Sequence, residues 1–153
     1  MSYSLVVIDM QKAFTAARRK RVLLNCEKEI NKAIKNNCSI IFVEYFNCGK
    51  TIKKLTDLTK NYKKTYTVTK NNDDGSPEIS CLFKSNRLPA KNIKVCGVNT
   101  DACVLDTVCG LSHSNRFSKS IIDVIANACD TSYNHEQGLQ QISRFAYKNV
   151  RVR

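Results

Sequence analysis

The stretch from Val95 to Thr107, VCGVNTDACVLDT, carries the residues of this chain best placed to do chemistry. It reads as a buried strand (Ile93, Val95) running into Gly97 and a polar turn, Asn99-Thr100-Asp101, which opens a helix with Cys103 in its first residues. Thr100 or Asp101 is expected to cap that helix by accepting a hydrogen bond from a free backbone N–H. A cysteine there feels the positive end of the helix dipole, which favours thiolate over thiol and so makes a nucleophile. Two further polar residues follow apolar strand patterns elsewhere in the chain: Asp9 after the first strand and Lys70 after the third. A carboxylate, an amine and a thiol thus each follow a strand pattern.

Such residues meet only if the elements before them lie side by side. Ser4 to Ile8 reads as a strand, and Val22 to Lys35 carries apolar residues near helical spacing. Ser39 to Tyr45 is a second strand, followed by a short helix marked by Ile52, Leu55 and Leu58. Thr65 to Thr69 is a third strand, and Pro77 starts a helix bearing Ile79, Leu82 and Phe83. Ile93 to Val98 is the fourth strand, with the Cys103 helix running to about Ser112. Ser120 to Ala126 is the fifth, Asn134 to Ala146 a helix, and Asn149 to Val152 a last strand. This alternation predicts a three-layer αβα, Rossmann-like α/β fold, its mostly parallel sheet of five to six strands covered by helices on both faces. Active sites of such sheets lie at the carboxyl ends of the strands, which is where Asp9, Lys70 and the 99–103 turn fall.

Bulk properties bound the function. At 153 residues the chain is read as one domain spanning residues 1–153. No apolar run approaches the roughly 20 residues needed to cross a bilayer. The N-terminus MSYSLVVIDMQ lacks the basic start and small-residue cleavage site of a signal peptide, so a soluble, cytoplasmic protein without membrane association is expected. The net charge of +12 gathers at Arg18-Arg19-Lys20 and between Lys50 and Lys64, where Asp57 is the sole acid. Such a field can attract nucleic acid, an acidic partner or an anionic substrate. Aromatic interleaving is thin there, and no nucleic-acid motif is present, so the charge is read as a solvated surface. None of the eight cysteines forms a C-x-x-C pair, and all but Cys103 are read as reduced structural thiols.

Together, VVIDMQKAF (residues 6 to 14), TVTKNNDDGS (67 to 76) and VCGVNTDACVLDT (95 to 107) resemble the isochorismatase-like cysteine hydrolase superfamily, which includes nicotinamidases and other small-amide hydrolases. The resemblance implies an Asp–Lys–Cys triad, here Asp9, Lys70 and Cys103. Lys84 also lies nearby in sequence but falls inside a helix, so Lys70 is preferred. It implies a non-proline cis peptide just before Asn99 and an oxyanion hole made by the Asn99 and Cys103 backbone N–H groups. It makes Phe14 a wall of the substrate pocket, and it implies a homo-oligomer, dimer or tetramer.

The pattern also departs from that family. Nicotinamidases bind a divalent metal through an aspartate and histidines after the second strand, whereas FVEYFNCGKTIKKL here offers only Glu44 and Cys48. No metal and no cofactor are therefore expected. His113 and His135 are read as partly exposed structural residues, and Asn127-Ala128 stands where many relatives would show Asp-Ala. The sequence thus points to a metal-independent cysteine hydrolase that cleaves a C–N bond of a small amide, imide or carbamoyl compound through a thioester. The competing reading is a non-catalytic family member that binds partners through its basic surface.

Overall fold

Strand β1 (Ser4–Ile8) is buried on both faces, which is why SLVVI is apolar without alternation. It occupies the middle of a six-stranded, all-parallel sheet in the order β3-β2-β1-β4-β5-β6. The other strands are β2 (Ser39–Tyr45), β3 (Thr65–Lys70), β4 (Asn92–Val98), β5 (Ile121–Asp130) and β6 (Val150–Val152). The computed structural model describes residues 2–153. Helix α1 (Lys20–Lys35) and the short α2 (Lys53–Leu58) cover one face, packing Val22, Cys26, Ile30 and Leu55 against Leu5, Val7, Phe42 and Cys96. Helices α3 (Ser76–Ser85), α4 (Leu105–His113) and α5 (His135–Phe145) cover the other, over Val6, Ile8, Ile41, Val43 and Val95. Phe83 of α3 meets Phe117 edge to face there, ring centroids 5.2 Å apart.

The α/β prediction holds, and most boundaries fall within a residue or two of the sequence reading. The main correction is β5, which runs to Asp130 instead of stopping at Ala126. Its extension is held by α1: the Asn127 carbonyl accepts from Arg21 and Asn25, and the Asp130 carboxylate pairs with Arg19 and Arg21 at 3.0 Å each. Asn127 itself is exposed. Much of the lysine-rich surface is locally satisfied. Lys50 pairs with Glu44, Lys53 with Asp57 and Lys54 with Glu27.

Register fixes which residues emerge together. Ile8 lies level with Val43 of β2 and Gly97 of β4, and Val43 lies level with Val68 of β3. Asp9, Lys70 and Asn99 are therefore each one or two residues past a common row. The crowding of that row shows at Gly97, which has φ +121° and sits so close to β1 that a Cβ would fall 2.0 Å from the Ile8 carbonyl oxygen. No side chain fits. Gly97→Ala is expected to cost more than about 3 kcal/mol of folding stability. Urea denaturation would check this against the wild type.

Candidate active site

At the carboxyl edge of β1 the chain turns sharply, with Asp9 at φ 50° and its N–H bonded to the Val43 carbonyl. This turn directs Asp9 inward, where it is wholly buried. Lys70, the last residue of β3, is separated from β1 by β2. Adjacent strands are about 4.8 Å apart, so only a long side chain spans that gap. Lys70 does so with its stem in the core, placing Nζ 3.0 Å from Asp9 Oδ2 and 4.2 Å from the centre of the Tyr45 ring on the intervening strand. The ammonium donates to the Asn72 carbonyl at 2.9 Å. Its contact with Asp9 is close but poorly angled, and neither Asp9 oxygen has a well-directed hydrogen-bond partner among the described residues. Lys84, by contrast, is exposed on α3.

Cys103 enters from β4. The Val98–Asn99 peptide is cis, as the resemblance implied. Residues Thr100–Val104 then form one wide turn of π type, in which the Asn99 carbonyl accepts from both the Ala102 and the Val104 N–H. Helix α4 begins only at Leu105, so Cys103 precedes it. The expected cap is absent from this turn: no side chain caps it, the Thr100 hydroxyl instead bonds His135 Nδ1 at 2.8 Å, and Asp101 Oδ1 is buried without a partner. Support comes from α5, whose Gly138 lies so close that a Cβ would meet the Asp101 backbone nitrogen at 2.9 Å. Sequence reasoning missed this role of His135 and Gly138, because nothing local links them to residues 99–103.

The expectation of a primed thiolate is also reversed. Burial, then the nearby Asp9 carboxylate, hold the Cys103 thiol well above its ordinary range; Lys70 opposes this and Asp73 adds to it. Without a regular first helical turn around Cys103, the dipole effect is outweighed. Burial likewise raises the Asp9 carboxyl, against the lowering pull of Lys70 and Cys103. The resting site is thus a buried thiol beside a carboxylate made more basic by its surroundings. Asp73, exposed on the loop after β3, accepts from Cys103 Sγ at 3.4 Å. Phe14 is half-buried and stacks edge to face on Tyr45, centroids 6.4 Å apart, so it borders the site through the ring that Lys70 touches. Tyr45 and Asp73 carried no sequence signal of their own, although a polar residue just beyond a strand end merited suspicion.

The residues at the end of β2 and just beyond it do not fit a divalent ion. The Glu44 carboxylate is already taken by the Thr51 N–H at 2.8 Å, the Thr51 hydroxyl at 3.0 Å and Lys50 at 3.1 Å. Among the described residues no group of three or more His, Cys, Asp or Glu side chains is arranged to hold a metal. A cleft of about 540 Å³ lies at the opposite, amino-terminal ends of β4–β6, away from Cys103, and includes Lys32, Lys94, Arg151 and Arg153 in its lining.

Removing one member of the buried Asp9–Lys70 pair strands the other, which typically costs about 3–5 kcal/mol. Asp9→Asn and Lys70→Met should each destabilise by that order, while the double variant should lose less than the sum. In Lys70→Met the carboxyl lacks its counter-ion and rises further. Its ionisation then opposes folding, so the deficit should shrink as pH falls toward about 4 and grow as pH rises. Urea titrations at several pH values would check both expectations.

The sequence pattern of the isochorismatase domain matches residues 3–148. No curated protein sequence matches the chain. Among solved structures, the nicotinamidase from Staphylococcus aureus superposes with a TM-score of 0.76 at 20% identity, over 100% of both chains. The N-carbamoylsarcosine amidase from Thermoplasma acidophilum gives 0.77 at 14% identity, over 100% of this chain and 96% of that one. A ribonuclease from Caenorhabditis elegans gives 0.73 at 18% identity, over 94% of this chain and 73% of that one. These likenesses speak for the fold. The match over residues 3–148, with the sheet and strand-end geometry above, means that the chain belongs to the isochorismatase family.

Proposed function

We propose that the protein is a cysteine hydrolase that cleaves the C–N bond of a small amide, imide or carbamoyl compound, with Asp9, Lys70 and Cys103 as its catalytic residues. The supporting observation is the wholly buried Asp9–Lys70 pair beside the Cys103 thiol, at the carboxyl ends of β1, β3 and β4 in an isochorismatase-family sheet. A buried ion pair is a weak device for stability and a good one for chemistry.

In this reading Cys103 Sγ forms a bond to the carbonyl carbon as its proton passes to Asp9. The carbonyl becomes a tetrahedral oxyanion, held by the Asn99 and Cys103 N–H groups, with Lys70 supplying positive charge behind Asp9. Losing one such donor typically costs about 10²–10³ in rate. The oxyanion collapses, the C–N bond breaks, and Asp9 returns its proton to the departing nitrogen. Water then adds to the thioester, giving a proton to Asp9, and the C–S bond breaks to release the acid and restore the thiol. Because the thiol is protonated at rest, proton transfer accompanies attack instead of preceding it. The donors at the end of β2 and just beyond it do not fit a divalent ion, so no step runs through one. A homo-oligomer also belongs to this reading; Phe145 and Tyr147, both more than half exposed at the end of α5, offer apolar surface for it.

The basic cleft at the far end of the sheet supports a second reading, binding of a polyanion such as nucleic acid. Affinity falling steeply with added salt would favour it.

Hydrolysis of a panel of small amides should fall by at least about 10³ in Cys103→Ala with the fold intact, since the nucleophile is gone. Undiminished turnover would remove the reading. Asp9→Asn separates priming from proton transfer. Asp9 raises the thiol, so its neutral replacement lowers it. Cys103 should then react at least about tenfold faster with iodoacetamide near neutral pH, one pKa unit being tenfold in thiolate, while amide turnover is lost. Peptide mapping of the alkylated protein would read the first and product formation the second.

A further inference from the structure

Acids without a counter-ion gather around Cys103. The sequence holds 25 Lys and Arg against 13 Asp and Glu, so a cation is available for almost any carboxylate. Glu27, Glu29, Glu44, Asp9, Asp57, Asp123 and Asp130 each have one within ion-pair distance. Six acids have none among the described residues: Asp73, Asp74, Glu78, Asp101, Asp106 and Glu136, of which Asp73, Asp74 and Asp106 gather around Cys103. Asp73 Oδ1 lies 3.4 Å from Cys103 Sγ, and burial together with the charges of Asp73 and Asp74 pushes the Asp106 carboxyl up.

The loop carrying Asp73 is anchored independently of the thiol. The buried Thr107 hydroxyl donates to the Asp73 carbonyl at 3.2 Å and accepts from the Gly75 N–H at 2.9 Å, and Asp74 Oδ1 accepts from the Ser76 N–H at 2.7 Å. Contacts through the Thr107 hydroxyl of α4 thus hold the exposed Asp73 carboxylate over the buried thiol, at the mouth of the site. Beneath it, both oxygens of the wholly buried Asp9 lack a well-directed hydrogen-bond partner. The one cation among these groups, Lys70, is engaged by Asp9 and the Asn72 carbonyl.

We infer that Asp73 sets the charge of the substrate: the site takes amides that carry an ammonium or similar cation near the scissile bond and rejects those that carry a carboxylate. On entry the cation replaces the thiol proton as the hydrogen-bond donor to Asp73, which uncovers Sγ for attack. This rests on the hydrolase reading above for the chemistry, but the charge preference itself is a property of the mouth. It runs against the net charge of +12, which draws anions toward the molecule as a whole.

A pair of thiol reagents matched in size and opposite in charge tests it without the substrate: the trimethylammonium-ethyl and sulfonatoethyl methanethiosulfonates. Rates would be followed at Cys103 and, as an internal reference, at the exposed Cys81 of α3, by mass mapping of the full chain. The expected ratio of cation to anion rate is about tenfold or more above that of Cys81, falling at least about threefold in Asp73→Asn and unchanged in Asp57→Asn; both figures are of the size charges several ångströms apart produce near a protein surface. A wild-type ratio no greater than that of Cys81, or one unmoved by Asp73→Asn, overturns the inference. So does failure of both reagents at Cys103 while Cys81 reacts, because a mouth closed to a small cation selects nothing. The two readings fail separately. Charge selection with no amide turned over removes the hydrolase reading alone, and turnover confined to carboxylated amides removes this inference alone.

Discussion

One ion pair organises this molecule. Asp9 and Lys70 are wholly buried and lie on strands that do not touch, so their contact exists only because Lys70 reaches over β2. Two desolvated charges demand compensation, and the surrounding elements supply it piecemeal. Tyr45 offers its ring face to the ammonium, Asn72 a carbonyl, and the turn at Asp9 positions the carboxylate. Compensation is incomplete on the carboxylate side, where both oxygens lack good hydrogen bonds. A carboxylate left short of donors in a low-dielectric site is a stronger base than one in water.

That shortage governs the thiol as well. Cys103 is held protonated by burial and by Asp9, so the site keeps its proton in place until something enters. A permanently formed thiolate would react with any passing electrophile or oxidant. In the proposed reading, reactivity follows an incoming group that disturbs the balance among Asp9, Lys70 and Asp73. The wide turn of residues 100–104 contributes by placing Cys103 ahead of the regular helix, where dipole stabilisation is weaker.

Much of the fold was legible because the strands are short, apolar and separated by helices of clear period. Ser4–Ile8 and Ser39–Tyr45 emerge unchanged. The end of β5 was not legible, since its last residues, NACD, are paired through contacts with α1 that no local pattern announces. Asp9, Lys70 and Cys103 were singled out by their common position at strand ends and by resemblance, and the fold brings them together. Their electrostatics were not, because burial and charge are sums over neighbours distant in sequence. Asp73 shows the difference well. It reads as an ordinary loop acid, and only the fold puts it against the thiol.

The loop after β2 shows how the same constraint reaches beyond the charged residues. Buried Gln11, just past Asp9, donates to the Tyr45 and Gly49 carbonyls and accepts from the Tyr45 N–H. Glu44, one residue earlier, is consumed by Thr51 and Lys50. Polar groups that might have faced outward as ligands are thus spent on holding the loop to the turn at Asp9. This fixes Tyr45, hence the surface on which the Lys70 ammonium rests. In the proposed reaction, with the donors and acceptors of this loop closed on one another, the charge that develops on a reacting carbonyl would be met by backbone N–H groups and by the field of one buried lysine.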